Sequence, residues 1–133
     1  MSETPPKLSE RPIHLGLGAT AEVEPVFTGD MQWYEGYVAR HGDDGAEGRL
    51  VSMSTFGDSW TVWEMHPNGA EVVLCTEGAF ELVQEIDGEE ITTSLSAGQY
   101  AINQPGTWHT ANVTDSAAAL FITAGEGTEH RPR

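Results

Sequence analysis

From residue 49 onward the chain is written in short runs that alternate apolar and polar residues. They read "RLVSMSTF", "WTVWEMH", "EVVLCTEG", "AFELVQEI", "EEITTSLS", "QYAIN", "WHTANV" and "AALFITA". Side chains of a strand point to opposite faces in turn, so such alternation predicts strands with one face buried. Glycine, aspartate, asparagine and proline separate the runs and predict turns. Many short strands at roughly even spacing imply an all-β sandwich or barrel.

One hairpin can be registered from the sequence. Asp87-Gly88 joins two alternating runs, the strongest short-range hairpin signal. With those residues as the turn, Ile86 faces Glu89, Gln84 faces Ile91, Leu82 faces Thr93 and Phe80 faces Leu95. Opposed residues share a face, so Phe80, Leu82, Ile91 and Leu95 define an apolar inner face that includes Gln84. An amide there needs partners: Gln84 points into a pocket or meets water at the rim.

The first half is less regular. Residues 1–12 are polar and proline-broken and predict a flexible arm. Residues 31–42, "MQWYEGYVARHG", predict a short helix or an irregular strand, with Trp33, Tyr34 and Tyr37 at helical spacing as packing residues. Residues 42–48 form a turn-rich loop, bordered by His41, which is expected to be exposed. Residues 126–133 predict a flexible tail with His130 in solvent. Residues 13–125 remain as one domain, long enough to bury a core.

Composition narrows the partners. The formal charge is −15, from 21 acidic and 6 basic residues. Lys7, Arg11, Arg131 and Arg133 lie near the termini, leaving Arg40 and Arg49 for the body of the domain. Such a surface repels phosphate backbones and anionic lipid, so neither nucleic acid nor membrane is an expected partner. No apolar run is long enough to span a bilayer, and the amino-terminal stretch lacks the apolar core of a secretory signal. Cys75 is the single cysteine and is expected to be a small buried hydrophobe. A chain without an internal disulfide fits the reducing cytoplasm, the expected location.

The chemistry concentrates at residues 61–75, "TVWEMHPNGAEVVLC". Glu64 and His66 are two apart on a strand and share a face. Pro67-Asn68-Gly69 reverses the chain and returns Glu71 alongside. Burying ionised carboxylates without compensation costs several kcal/mol each, and a divalent cation removes that cost. Oxygen and nitrogen donors without thiolate suit manganese, iron(II), zinc or nickel. A further imidazole, His109, follows a Pro-Gly turn downstream. By alternation Trp63 and Met65 face away from the cluster, and Trp63 is expected in the core or a dimer interface. Trp60 shares the parity of Glu64 and His66 and is expected to line a cavity, with Gln84, Tyr100 and Trp108 as further pocket candidates.

In these residues the sequence resembles the cupins, small jelly-roll barrels of the double-stranded β-helix type. Their first motif runs His-x-His, a Glu five residues after the second His, and a Gly seven further on. Here the same spacing holds Glu64, His66, Glu71 and Gly78. The second motif passes from a Gly through a Pro and a Gly to a His three residues later, represented by Gly98, Pro105, Gly106 and His109. Two details depart: Pro105 and Gly106 are adjacent, and Asn112 lies three residues rather than four after the histidine. The resemblance implies a metal held by His66, Glu71 and His109, with Glu64 in place of the first histidine. Glu64 is then a fourth ligand or a general base beside three ligands. A doubly acidic set favours harder cations such as manganese or iron(II).

The function so implied is a metal-dependent enzyme of dioxygenase, isomerase or lyase type acting on a small molecule in the barrel. The alternatives are a non-catalytic small-molecule binding or sensing module, and a metal-free barrel with a degenerate site. Small barrels of this family commonly pair, so a homodimer is expected.

Overall fold

The computed structural model describes residues 4–133. Its elements are β1 (Ile13–Gly16), β2 (Thr20–Val23), α1 (Met31–His41), β3 (Arg49–Phe56), β4 (Val62–Met65) and β5 (Glu71–Ile86), followed by β6 (Glu89–Ser96), β7 (Tyr100–Asn103), β8 (His109–Asn112), β9 (Ala117–Thr123) and β10 (Glu129–Pro132). The protein is all-β with one short α-helix, as the alternation predicts. No helix among the described residues is long and apolar enough to cross a membrane.

Two antiparallel sheets share one long strand. The first half of β5 pairs with β7 and β9, and its second half with β6 and β8. The strand order β10-β4-β8-β5-β9-β3-β1-β2 therefore wraps from one sheet into the other through β5. The crossing needs a special residue. Register slips between Cys75 and Glu77, and Gly78 follows with φ +68. A Cβ at Gly78 would stand 2.3 Å from the Ser116 carbonyl oxygen, so the close strand approach requires glycine.

The core lies between the sheets. Val73, Cys75, Phe80 and Leu82 from β5 meet Ala111, Ala119 and Phe121. Alternation along β5 places these side chains inward. Cys75 is fully buried and free, the small hydrophobe the sequence predicts. Burial pushes its thiol pKa up.

The β5–β6 hairpin has the register derived from Asp87-Gly88, including Gln84 opposite Ile91. Phe80, Leu82 and Leu95 are buried as expected and Gln84 is buried too, rather than at the rim, but Ile91 is 42% exposed. Among the described residues, strand β6 pairs with β5 and with no other strand. Near the turn its inner face is exposed, which alternation alone cannot show.

Residues 31–41 are helical. The Asp30 side chain accepts from the Trp33 amide at 2.9 Å, capping the helix, and Arg40 and His41 occupy its last turn. Trp33 is buried against Phe27 at 4.9 Å between ring centroids, edge to face.

Described residues near both polar ends of the chain make specific contacts. Pro12 is fully buried, and Arg11 donates to the Glu24 carbonyl. The expected tail contains β10, which pairs with β4, His130 opposite Glu64. The Arg131 guanidinium lies over Trp63 at 5.1 Å and Trp108 at 4.5 Å and pairs with Glu85. Cation–π contacts and an unpaired strand edge hold a polar strand that carries no apolar pattern.

Candidate metal centre and ligand cavity

Three strands bring the cluster together. Glu64 sits on β4, Glu71 opens β5, His109 opens β8, and His66 follows β4 directly. Glu64 lies opposite His109 in the β4–β8 pairing. Glu64, His66, Glu71 and His109 each present one donor atom within 4.8 Å of the others. The four residues singled out in the sequence therefore meet at one point.

Hydrogen bonds on the far side of each ligand fix its direction. Thr128 donates its hydroxyl to the Gly125 carbonyl and so accepts from His66 Nδ1 at 2.8 Å. His109 Nδ1 donates to the Thr107 carbonyl at 3.1 Å. Both imidazoles thus carry a hydrogen on Nδ1 and turn Nε2 towards the carboxylates. Glu71 is held through both oxygens, by Asn103 Nδ2 at 3.0 Å and Thr123 Oγ1 at 2.7 Å. Gln84 donates in turn to Asn103 Oδ1 at 2.8 Å. Glu64 is less enclosed, and His130 meets its Oε2 at 2.9 Å.

The Nε2 atoms lie close to acidic oxygens without being bonded to them. His66 Nε2 is 3.0 Å from Glu64 and 3.1 Å from Glu71. His109 Nε2 is 3.2 Å from Glu71 and 3.5 Å from Glu64. Yet both nitrogens are buried with no aligned hydrogen-bond partner. These are close charge contacts, and they shift every group involved. Burial pushes His66 and His109 down, but the close approach of Glu64 and Glu71 outweighs it and carries both up to about 9. Burial raises Glu71, but His109 and His66 outweigh it and bring it down to about 2. The same balance holds Glu64 well below the usual carboxylate range.

A cavity of about 760 Å³ opens over the cluster. Glu64, His66 and Glu71 line it, together with Trp60, Phe121 and Phe56 from the barrel. Helix α1 adds Tyr34 and Tyr37, which the sequence assigned to packing. Burial, then the charges of Glu64 and Glu71, push the Tyr34 hydroxyl pKa up to about 12, so it lies within their electrostatic reach. No lysine or arginine lines the cavity among the described residues.

Residues 56–125 match the cupin domain family. The chain belongs to the cupins. No curated protein sequence matches it. Among solved structures, an uncharacterised conserved protein with a double-stranded β-helix domain from Klebsiella pneumoniae superposes with TM-score 0.51 at 22% identity, over 63% of this chain and 73% of that one. Oxalate oxidase in complex with the substrate analogue glycolate superposes with TM-score 0.56 at 16% identity. That match covers 69% of this chain and 50% of the oxidase, so this cupin spans half its length. The coconut allergen cocosin superposes with TM-score 0.54 at 14% identity, over 63% of this chain and 23% of the allergen. At these identities the likeness concerns the fold alone.

The pocket candidates divide. Trp60 lines the cavity, and its ring packs against His109 at 6.1 Å between centroids. Gln84 is buried behind Glu71, committed to Asn103 and the Ile102 carbonyl. Tyr100 is 64% exposed on β7 and away from the cavity lining. Trp108 packs under Arg131 instead. Neighbouring positions in a turn or strand face different ways once the sheet curves, which sequence proximity to His109 does not reveal. His41, expected in solvent, stacks on His14 at 3.7 Å. Thr123, Thr128 and His130 also escaped the sequence reading, because their partners lie 52 to 66 residues away.

Proposed function

We propose that this cupin is a metal-dependent enzyme acting on a small molecule, with a divalent cation on His66, Glu71, His109 and Glu64. One observation carries the reading. Two buried imidazoles, each with its Nδ1–H fixed on the opposite side of the ring, turn Nε2 towards two carboxylates without an aligned hydrogen bond. Without a cation these nitrogens must take up protons to face the carboxylates, whereas a shared cation replaces the protons and is held by all four donors. The nitrogen and oxygen donors suit manganese, iron(II), zinc or nickel.

Such a cation, when bound, would supply Lewis-acid chemistry. The chain's own residues do the rest. Thr128 and Thr107 orient the imidazoles, Asn103 and Thr123 orient Glu71, and Trp60 and Phe121 give the neighbouring space an apolar wall. Glu64 Oε1 faces both imidazoles, which supports a ligand role, while His130 holds its other oxygen.

Elemental analysis of protein purified without a histidine tag tests the reading. One equivalent of a divalent metal is expected, lost in both Glu71→Ala and His66→Ala. Full retention in both variants overturns it. In Glu64→Gln, loss of metal identifies a ligand, and retained metal with lost turnover identifies a base.

A further inference from the structure

A separate part of the cavity wall carries a second set of ionisable groups. His14 on β1 is 1% exposed and engages both ring nitrogens. Its Nε2 is 2.6 Å from Asp44 Oδ2, and its Nδ1 is 2.6 Å from Tyr37 Oη. An ionised carboxylate only accepts, so Nε2 carries the hydrogen, and in the neutral ring Nδ1 then holds the lone pair. Tyr37 therefore donates to His14 and keeps its own oxygen lone pairs free. Glycines make room for this chain: a Cβ at Gly48 would stand 3.0 Å from both Asp44 Cβ and His14 Cε1.

Further polar and charged groups surround it. His41 stacks on His14, with 16° between the rings. Glu24 meets His41 Nε2 at 2.9 Å and is itself held by Arg40 at 2.9 Å, while Glu22 lies 3.6 Å from His41 Nδ1. Donor atoms of His14, His41 and Asp44 come within 4.8 Å of one another. A metal does not fit them, however. Nitrogen lone pairs lie in the ring plane, so nearly parallel rings direct theirs side by side rather than to one point, and both His14 nitrogens are already engaged.

We propose that Asp44, His14 and Tyr37 form a proton relay that binds and deprotonates a hydroxyl group of the ligand in the cavity. The ligand hydroxyl donates to Tyr37 Oη, the Tyr37 proton passes to His14 Nδ1, and the ligand O–H bond breaks with its proton replacing the one Tyr37 gave up. The products are a ligand oxyanion and an imidazolium whose Nε2–H faces Asp44. Protons and charge balance without an oxidant or reductant. The logic is that of a base oriented by a carboxylate, with the tyrosine as conduit. Burial, with Glu24 and Asp44, holds the Tyr37 hydroxyl pKa well above its ordinary range, so it relays a proton without keeping the negative charge.

The ligand class follows from the lining. His14 and Tyr37 share the cavity with Leu50, Phe56, Trp60 and Phe121. A ligand that arrived as an anion would add net charge beside Glu64, Glu71 and Glu126 with no lysine or arginine among the described lining residues, whereas a proton passed to His14 inside the cavity pairs the oxyanion with an imidazolium and leaves the net charge unchanged. The site thus takes an uncharged hydroxylated molecule: an alcohol, an enol or a phenol. This rests on the cavity being the ligand site of the preceding reading, but not on the metal.

The test uses the full chain after chelation and para-nitrophenol as probe, at a pH where the free phenol is mostly protonated. Bound probe is expected to show the phenolate spectrum. Tyr37→Phe, with an unchanged melting profile, should lower the bound phenolate-to-phenol ratio by about tenfold or more, a one-unit shift in its pKa. Long-range proton–nitrogen NMR should find His14 as the Nε2–H tautomer. Absence of binding, a neutral bound spectrum, an identical spectrum in Tyr37→Phe, or an Nδ1–H tautomer would each overturn the relay. Failure of the metal reading alone would leave the phenolate signal intact.

Discussion

Stripping the cluster of cations should make this cupin less stable as the solution becomes alkaline. His66 and His109 are raised from 6.5 to about 9 by Glu64 and Glu71. A raised histidine stabilises the fold fully below its unfolded value, and that contribution fades as pH climbs through the folded value. The window is therefore 6.5 to about 9. Within it the folded state binds more protons than the unfolded chain, so stability falls with pH. The shift amounts to about 3 kcal/mol for one imidazole. Both rings draw on the same two carboxylates, so the pair contributes about that much together, not twice it. For a domain of this length the loss is on the order of 10 °C in melting temperature. Circular dichroism melts in chelator across the window measure it. Repeating them in manganese or zinc should reverse the trend, because the cation replaces protons at Nε2 and binds more tightly as they leave. A flat curve in chelator would refute the charge contacts. Identical curves with and without metal would refute the shared cation.

Three further outcomes follow from the contacts around the site. Thr128→Val removes the acceptor of His66 Nδ1 and should weaken metal affinity by roughly 10- to 100-fold with the fold intact; competition against a chelating dye reads it. Gly78→Ala sets a Cβ against the Ser116 carbonyl at positive φ and should cost about 2 kcal/mol or more, measured by urea unfolding. Arg131→Ala loses the contacts with Trp63, Trp108 and Glu85 and should cost about 1 kcal/mol, with faster amide exchange confined to β10.

The cluster was legible because it is nearly local. Glu64, His66 and Glu71 span eight residues, and strand parity plus one turn brings them together. His109 follows a turn signal at the head of a strand, but its place in the cluster was legible only through the resemblance to the second cupin motif. The groups that orient them were not. Thr128 bonds His66 across 62 residues, and Thr123 bonds Glu71 across 52. Gln84 was placed on the correct face, but its partner Asn103 comes from a strand whose pairing no local rule supplies. Tyr34 and Tyr37 fit a packing stripe equally well, since helical spacing does not say whether the facing surface is core or cavity.

By itself the sequence determined the strand periodicity, the β5–β6 register, the burial of Cys75 and the sharing of one face by Glu64 and His66. Each depends on interactions between near neighbours, and near neighbours obey fixed backbone geometry. Tertiary structure decided which strands pair across the barrel, where the polar amino-terminal segment lies, and that His14, Tyr37 and Asp44 meet beside the cavity. Those outcomes depend on the curvature and closure of two sheets, summed over many weak contacts between residues far apart in the chain.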